Sequence, residues 1–231
     1  MDGLIKGIPN ADYHGSDELS RSTASSLLTT SPAKVRWERD NPRPSSLPLI
    51  MGGCFHGMVL EPECLDVEYA IKPPDIDGKS PLTKHYKEEF AAMQEERPHV
   101  QWVKDDNWET CEGMANAIMS NPVFTHYASD VEAIAEGTGY FKYNGASCKV
   151  RPDLYVSDGT IIDLKSTQDA SEAGFRKSVR NFGYDFQTCF YMEAMRALGL
   201  PARQFIFVCV EKTAPYLTAT YTLTASEIDR Q

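Results

Sequence analysis

The sequence predicts a mixed α/β fold: a central sheet of mixed strand direction, flanked by helices and preceded by a helical N-terminal part. Three observations carry that prediction. β-Branched and aromatic runs gather between residues 131 and 224, the composition of strands. Two helical stretches, about 170–181 and 185–198, interrupt them, so strands, a helix pair and further strands follow in order. Upstream, capping residues and apolar stretches of helical length predominate. The 231 residues suffice for one sizeable core. They are read as one domain over 1–231, with an N-terminal helical segment at about 12–65 and a core at about 125–225.

Residues 17–40, "DELSRSTASSLLTTSPAKVRWERD", read as two short helices. Ser22 is the expected N-cap of the first. Ser31 followed by Pro32 supplies the second with a cap and a proline at its first position. A proline-rich connector, "NPRPSSLP", leads into "LIMGGCFHGMVLEP", an apolar helix carrying His56 that stops near Pro62. "PPDIDGKSP" reads as a loop, followed by helices at about 83–96 and 104–119, the latter ended by Asn121-Pro122. Strands are expected at roughly 131–143, 147–156 and 160–165. The helix at 185–198 ends at Gly199-Leu200-Pro201. Strands at 203–212 and 216–224 follow, and "TASEIDRQ" reads as the start of another helix.

Composition narrows the function. A formal net charge of −10 argues against broad, non-specific nucleic-acid affinity. It leaves room for a local basic groove, and acids gathered around divalent metals add to the negative count. No stretch approaches twenty apolar residues, so no membrane span is expected. The start, "MDGLIKGIPNADYHG", lacks the basic and apolar regions of a secretory signal, and the cytoplasm is the expected location. The six cysteines form no CxxC pair and no Cys/His cluster, which predicts free thiols rather than a zinc or iron–sulfur site.

The most informative stretch is "KVRPDLYVSDGTIIDLKST", Lys149 to Thr167. Ser157-Asp158-Gly159 suits a three-residue hairpin loop with glycine in the left-handed position. Val156 then pairs with Thr160, Asp153 faces Asp163, and Arg151 faces Lys165, all four on one face. Val150, Leu154, Val156, Ile162 and Leu164 form the opposite, apolar face. A two-residue turn would instead separate the aspartates, and turn acids also occur on ordinary surface hairpins. Two carboxylates brought together repel unless a hard divalent ion sits between them. An Asp-x-Lys delivered on the non-core face suits phosphodiester hydrolysis. Asp153, Asp163 and the Leu164 carbonyl would hold metal, and Lys165 would orient or deprotonate water. Lys149, Arg151, Ser166 and Thr167 flank these acids as candidate contacts to a DNA backbone.

Pro152-Asp153 followed by Asp163-Leu164-Lys165 resembles the signature of the PD-(D/E)xK nuclease superfamily. "DFQTCFYMEAM" places Gln187 and Tyr191 on one helix face, which resembles the QxxxY motif of the RecB-like branch. "GGCFHGMVLEP" resembles the segment that supplies that branch with a metal-ligating histidine, here His56. From about residue 12 to 212 the ordered set resembles the RecE-type exonucleases of phages and prophages. The resemblance implies a restriction-endonuclease-like core and a catalytic set of Asp153, Asp163, Lys165, Gln187 and Tyr191. The upstream acid of such a site is either Glu132 or Glu136, and Glu136 is favoured as the closer to the hairpin in register. It further implies Mg2+, replaceable by Mn2+, and 5′-to-3′ degradation of linear double-stranded DNA ends. The remaining implications are 3′ single-stranded tails handed to an annealing protein and a ring-shaped homo-oligomer. An endonuclease on the same fold, or a non-catalytic DNA- or partner-binding module, are the competing readings.

Overall fold

The computed structural model describes residues 3–223, so the helix read into 224–231 lies outside the described residues. The chain opens with helices α1 (Asn10–Gly15), α2 (Arg21–Thr29), α3 (Pro32–Asp40) and α4 (Leu47–Leu60). Ser20, not Ser22, caps α2, its side chain accepting from the Thr23 amide. That geometry fits a cap because the acceptor must reach the third residue onward. Ser31 caps α3 by accepting from the Lys34 amide, and Pro32 occupies the first turn. Helix α4 ends before a short 3-10 turn, Pro62–Cys64, and is followed by α5 (Leu65–Glu68).

Strands β1 (Tyr69–Ile71) and β2 (Gln101–Val103) form a small parallel pair on either side of α6 (Lys84–Glu96). After α7 (Asp105–Met119), Asn121-Pro122 does more than end a helix. The Asn121 side chain accepts from the Val123 and Phe124 amides and opens α8 (Pro122–Ala128).

The main sheet has the order β3-β6-β7-β8-β9, formed by β3 (Ile134–Ala135), β6 (Leu154–Tyr155), β7 (Thr160–Thr167), β8 (Gln204–Glu211) and β9 (Thr218–Tyr221). The β7–β8 pair is parallel and the others antiparallel, so the sheet is mixed. Helices α9 (Glu172–Phe182) and α10 (Tyr184–Ala197) make the crossover between β7 and β8. A separate hairpin, β4 (Gly139–Tyr143) and β5 (Ala146–Val150), stands outside that sheet.

Two of the expected strands are therefore broken. The stretch 131–143 divides at Glu136, a non-glycine residue with φ of 47°. The stretch 147–156 divides at Pro152, which has no N–H to give a ladder. Both faces of the main sheet are buried. Leu154, Val156, Ile162, Leu164 and Val208 pack with Phe55 of α4 and Met114 of α7. Tyr155, Ile161, Phe205 and Phe207 pack with Phe175 of α9 and Met195 of α10. Val150 joins this second cluster, not the face of Leu154 as expected, because the break at Pro152 reorients it.

Candidate active site

The hairpin register is the one the loop dictates: Leu154 pairs with Ile162 and Tyr155 with Ile161, closed by the Val156 amide bonding to the Thr160 carbonyl at 2.9 Å. The ladder stops there. Its next hydrogen-bonded position would match Leu164 to Pro152, but the Leu164 amide donates at 2.6 Å to Asp153 Oδ2 instead. A side chain thus replaces a backbone partner at the point where the strands part. The N–H and C=O of a strand residue point to one side, so the Leu164 carbonyl faces the same edge.

Three ligand-type side chains converge on that opening. His56 Nδ1 lies 3.6 Å from Asp153 Oδ2 and 3.9 Å from a Glu136 oxygen. One ligand atom from each of His56, Glu136 and Asp153 lies within 4.8 Å of the others. Each comes from a different origin: the middle of α4, the left-handed residue after β3, and the bend before β6. Glu136 is tied in by its amide, which bonds to the Asp153 carbonyl at 3.1 Å. A non-glycine residue in the left-handed region carries backbone strain, and this one turns its carboxylate into the cluster. Of the two upstream acids, the fold places Glu136 in this cluster and leaves Glu132 exposed.

Asp163 stands beside this trio rather than within it. Lys165 pairs with its Oδ2, and the Gln187 side-chain amide donates to its Oδ1. The Lys165 ammonium lies 5.1 Å from the centre of the Tyr184 ring. Tyr191, one turn after Gln187 on α10, donates its hydroxyl to the Arg151 carbonyl at 3.2 Å. Gln187 therefore orients one aspartate, and Tyr191 holds the segment that leads to the other. Tyr184 was not singled out as a site residue, although its position three residues before Gln187 marks it as the same helix's first turn.

Lys149 and Arg151, expected on a DNA backbone, are instead buried clamps, 4 % and 7 % exposed. The Lys149 ammonium donates to the Tyr13 and Ser16 carbonyls. Arg151 donates to Thr138 Oγ1, Asn10 Oδ1 and the Ile8 carbonyl, each at 2.8 Å. Both cations face the Tyr13 ring. A buried cation needs such partners, and the split at Pro152 aims Arg151 away from Lys165. Ser166 and Thr167 are half-buried at the end of β7. The Thr167 hydroxyl bonds to the Asp169 carbonyl at 3.1 Å.

The electrostatics are those of a cation site. Burial disfavours the His56 imidazolium, but Asp153 and then Glu136 outweigh it and raise its pKa to about 9. Burial raises the Asp153 carboxyl, with His56 opposing. Burial lifts Asp163 to about 6 against the pull of Lys165. Lys165 is penalised by burial yet raised by Asp163 and Asp153, which favour its ammonium form. Two carboxylates and one imidazole fit a divalent ion of the magnesium or manganese class. His56, Glu136 and Asp153 would hold it, with Asp163 and the Leu164 carbonyl adjoining.

All six cysteines are free. No helix among the described residues is long and apolar enough to cross a membrane.

Among solved structures, the chain is similar to a protein from Eubacterium rectale described as a "Putative exonuclease", with a TM-score of 0.67 and 17% identity. The likeness covers 96% of this chain and 80% of that one, and at this identity it speaks for the fold. No curated protein matches the chain. Residues 26–231 match the family described as a PDDEXK-like domain of unknown function (DUF3799), and the chain belongs to that family.

Proposed function

We propose that this chain is a divalent-metal-dependent deoxyribonuclease, an exonuclease that acts on linear double-stranded DNA. The observation that carries the reading is the convergence of His56, Glu136 and Asp153 within 4.8 Å, beside the Asp163–Lys165 pair where β6 and β7 part. A divalent ion bound by such a set supplies Lewis acidity and an activated water at neutral pH. Lys165, held protonated, offsets negative charge that builds on the attacked phosphate. Gln187 fixes the Asp163 carboxylate, and Tyr191 fixes the chain ahead of Asp153, so both acids enter with set orientation. Asp163, with lone pairs beyond those that Lys165 and Gln187 engage, can join the ligand set. Ser166, at the open end of β7, remains the candidate for a phosphate contact.

The exonuclease reading over an endonuclease draws support from the resemblance to RecE-type enzymes and from the structural neighbour's description. The same resemblance supports 5′-to-3′ polarity, 3′ tails passed to an annealing protein, magnesium as the ion and a ring of identical chains. The test is digestion of linear duplex labelled at either end, beside covalently closed circles, with magnesium and with chelator. The expected result is chelator-sensitive release of nucleotides from the 5′ end of the linear DNA, with circles intact. Cleavage of circles would make it an endonuclease. No cleavage under any divalent ion would leave a binding module.

A further inference from the structure

Helix α9 carries an apolar stripe at Phe175, Val179 and Phe182, the i, i+4, i+7 spacing of one face. Its first member is buried: Phe175 is 5 % exposed and stacks on Tyr221 at 4.1 Å between ring centres. Val179 packs partly into the same cluster. Phe182, the third, runs past the core and is 60 % exposed. A large aromatic left in water at the end of a buried stripe needs an explanation.

Its surroundings supply one. Phe182 immediately precedes Gly183, whose φ of 62° ends α9 and starts α10. The Phe182 ring lies 5.9 Å from Tyr184 in a stacked arrangement, interplanar angle 29°. Tyr184 is the ring over which Lys165 sits. A single ring, Tyr184, therefore lies between Phe182 and the lysine of the candidate active site. The turn is pinned, because Arg21 Nη2 donates to the Phe182 carbonyl at 2.5 Å and to the Gly183 carbonyl at 2.8 Å. Exposed Lys177 and Arg180, three residues apart, lie on the side of α9 opposite this stripe.

The geometry points to a stacking shelf: Phe182 takes the face of an unpaired base at the end of a DNA strand, its ring stacked on the Tyr184 ring that Lys165 overlies. Every base presents a π face, so an aromatic shelf holds a strand end without reading its sequence. The shelf rests on the nuclease reading for its substrate and adds to it the contact that seats the strand beside Lys165.

The test uses the full chain with chelator present and a duplex bearing a short single-stranded end, its terminal base 2-aminopurine. Wild type is expected to bind and to quench the base's fluorescence. Phe182→Ala and Phe182→Leu, the latter keeping apolar bulk without the ring, are expected to bind on the order of tenfold more weakly and to lose the quench. Phe182→Trp is expected to keep both, with the melting temperature of all three near wild type. Equal binding or an undiminished quench in Phe182→Ala would overturn the shelf. So would an unchanged affinity for DNA with an altered mass by light scattering, which would mark a protein contact. A parallel magnesium digestion separates the two ideas. Cleavage by wild type with no effect of Phe182→Ala sinks the shelf alone. Binding that Phe182→Ala weakens, without cleavage, upholds the shelf and sinks the nuclease. Wild type that neither binds nor cuts overturns both.

Discussion

His56 holds a proton between two carboxylates, and a metal ligand must give that proton up, so metal binding and pH are linked at this residue. Its pKa, about 9 in the folded chain against 6.5 ordinarily, contributes stability that is fully present below pH 6.5 and is lost as pH rises through 9. That shift corresponds to roughly 3 kcal/mol. Asp163, raised to about 6, acts with the same sign at lower pH, its contribution lost as pH climbs through 6. The metal-free protein should therefore melt at falling temperature from pH 6 to 9, and His56→Gln should flatten the upper part of that fall. Added Mn2+ should restore more at pH 8.5 than at pH 6.5, read by scanning fluorimetry. The Asp163–Lys165 pair gives a second expectation. Asp163→Asn strands a lysine whose side chain is only 20% exposed and should destabilise. Asp163→Asn with Lys165→Met should recover most of the loss, while both variants lack hydrolysis. Asp153, Asp163 and Lys165 were legible because their spacing follows from strand and loop chemistry, whereas His56 and Glu136 were reached only through the resemblance. Lys149 and Arg151 were not legible, because nothing in a local sequence says that the carbonyls of residues 8, 13 and 16 will fold over them.

At the level of elements, turns and caps decided what could be read. Ser157-Asp158-Gly159 fixes the register because Gly159, at φ 90°, takes the left-handed place that closes the loop. Pro152 sits in the sequence as plainly, yet its effect is tertiary. It ends the pairing of β5, and Asp153 fills the ladder position that proline leaves, which turns a strand break into one corner of the candidate cation site. The division at Glu136 had no local signal, since glutamate rarely adopts φ of 47° and here does so under constraint. The short helix α8 did have one: Asn121-Pro122 is a cap and first-turn proline as much as a stop. Ser20 and Ser22 allow a direct check on capping. Ser20→Ala should cost about 1 kcal/mol, and Ser22→Ala a few tenths, because only Ser20 accepts from the Thr23 amide. In a chain of this length the first should lower the melting temperature by about 2–4 °C, and the second should leave it nearly unchanged.

The molecule as a whole bears a net charge of −10, so a DNA duplex approaching it meets repulsion except where cations gather. Composition alone could not say where that is, and it counted as cations two residues, Lys149 and Arg151, that the fold has sealed inside. The proposed ring, polarity and annealing partner have no trace in periodicity or spacing and rest on the resemblance alone. What the fold does supply is a pair of exposed cations, Lys177 and Arg180, three residues apart on one face of α9, and that makes the salt dependence of binding a measure of how the whole chain engages DNA. Each phosphate neutralised by a protein cation contributes about −0.9 to the slope of log affinity against log salt on duplex DNA. If Lys177 and Arg180 are the contacts, changing both to Gln should flatten the slope by about 1.8, measured with chelator between 50 and 200 mM salt. Lys84→Gln with Lys87→Gln, on the acid-rich α6, should leave it unchanged. An equal loss of slope from both pairs would mean that overall charge, not a local surface, governs the approach of DNA.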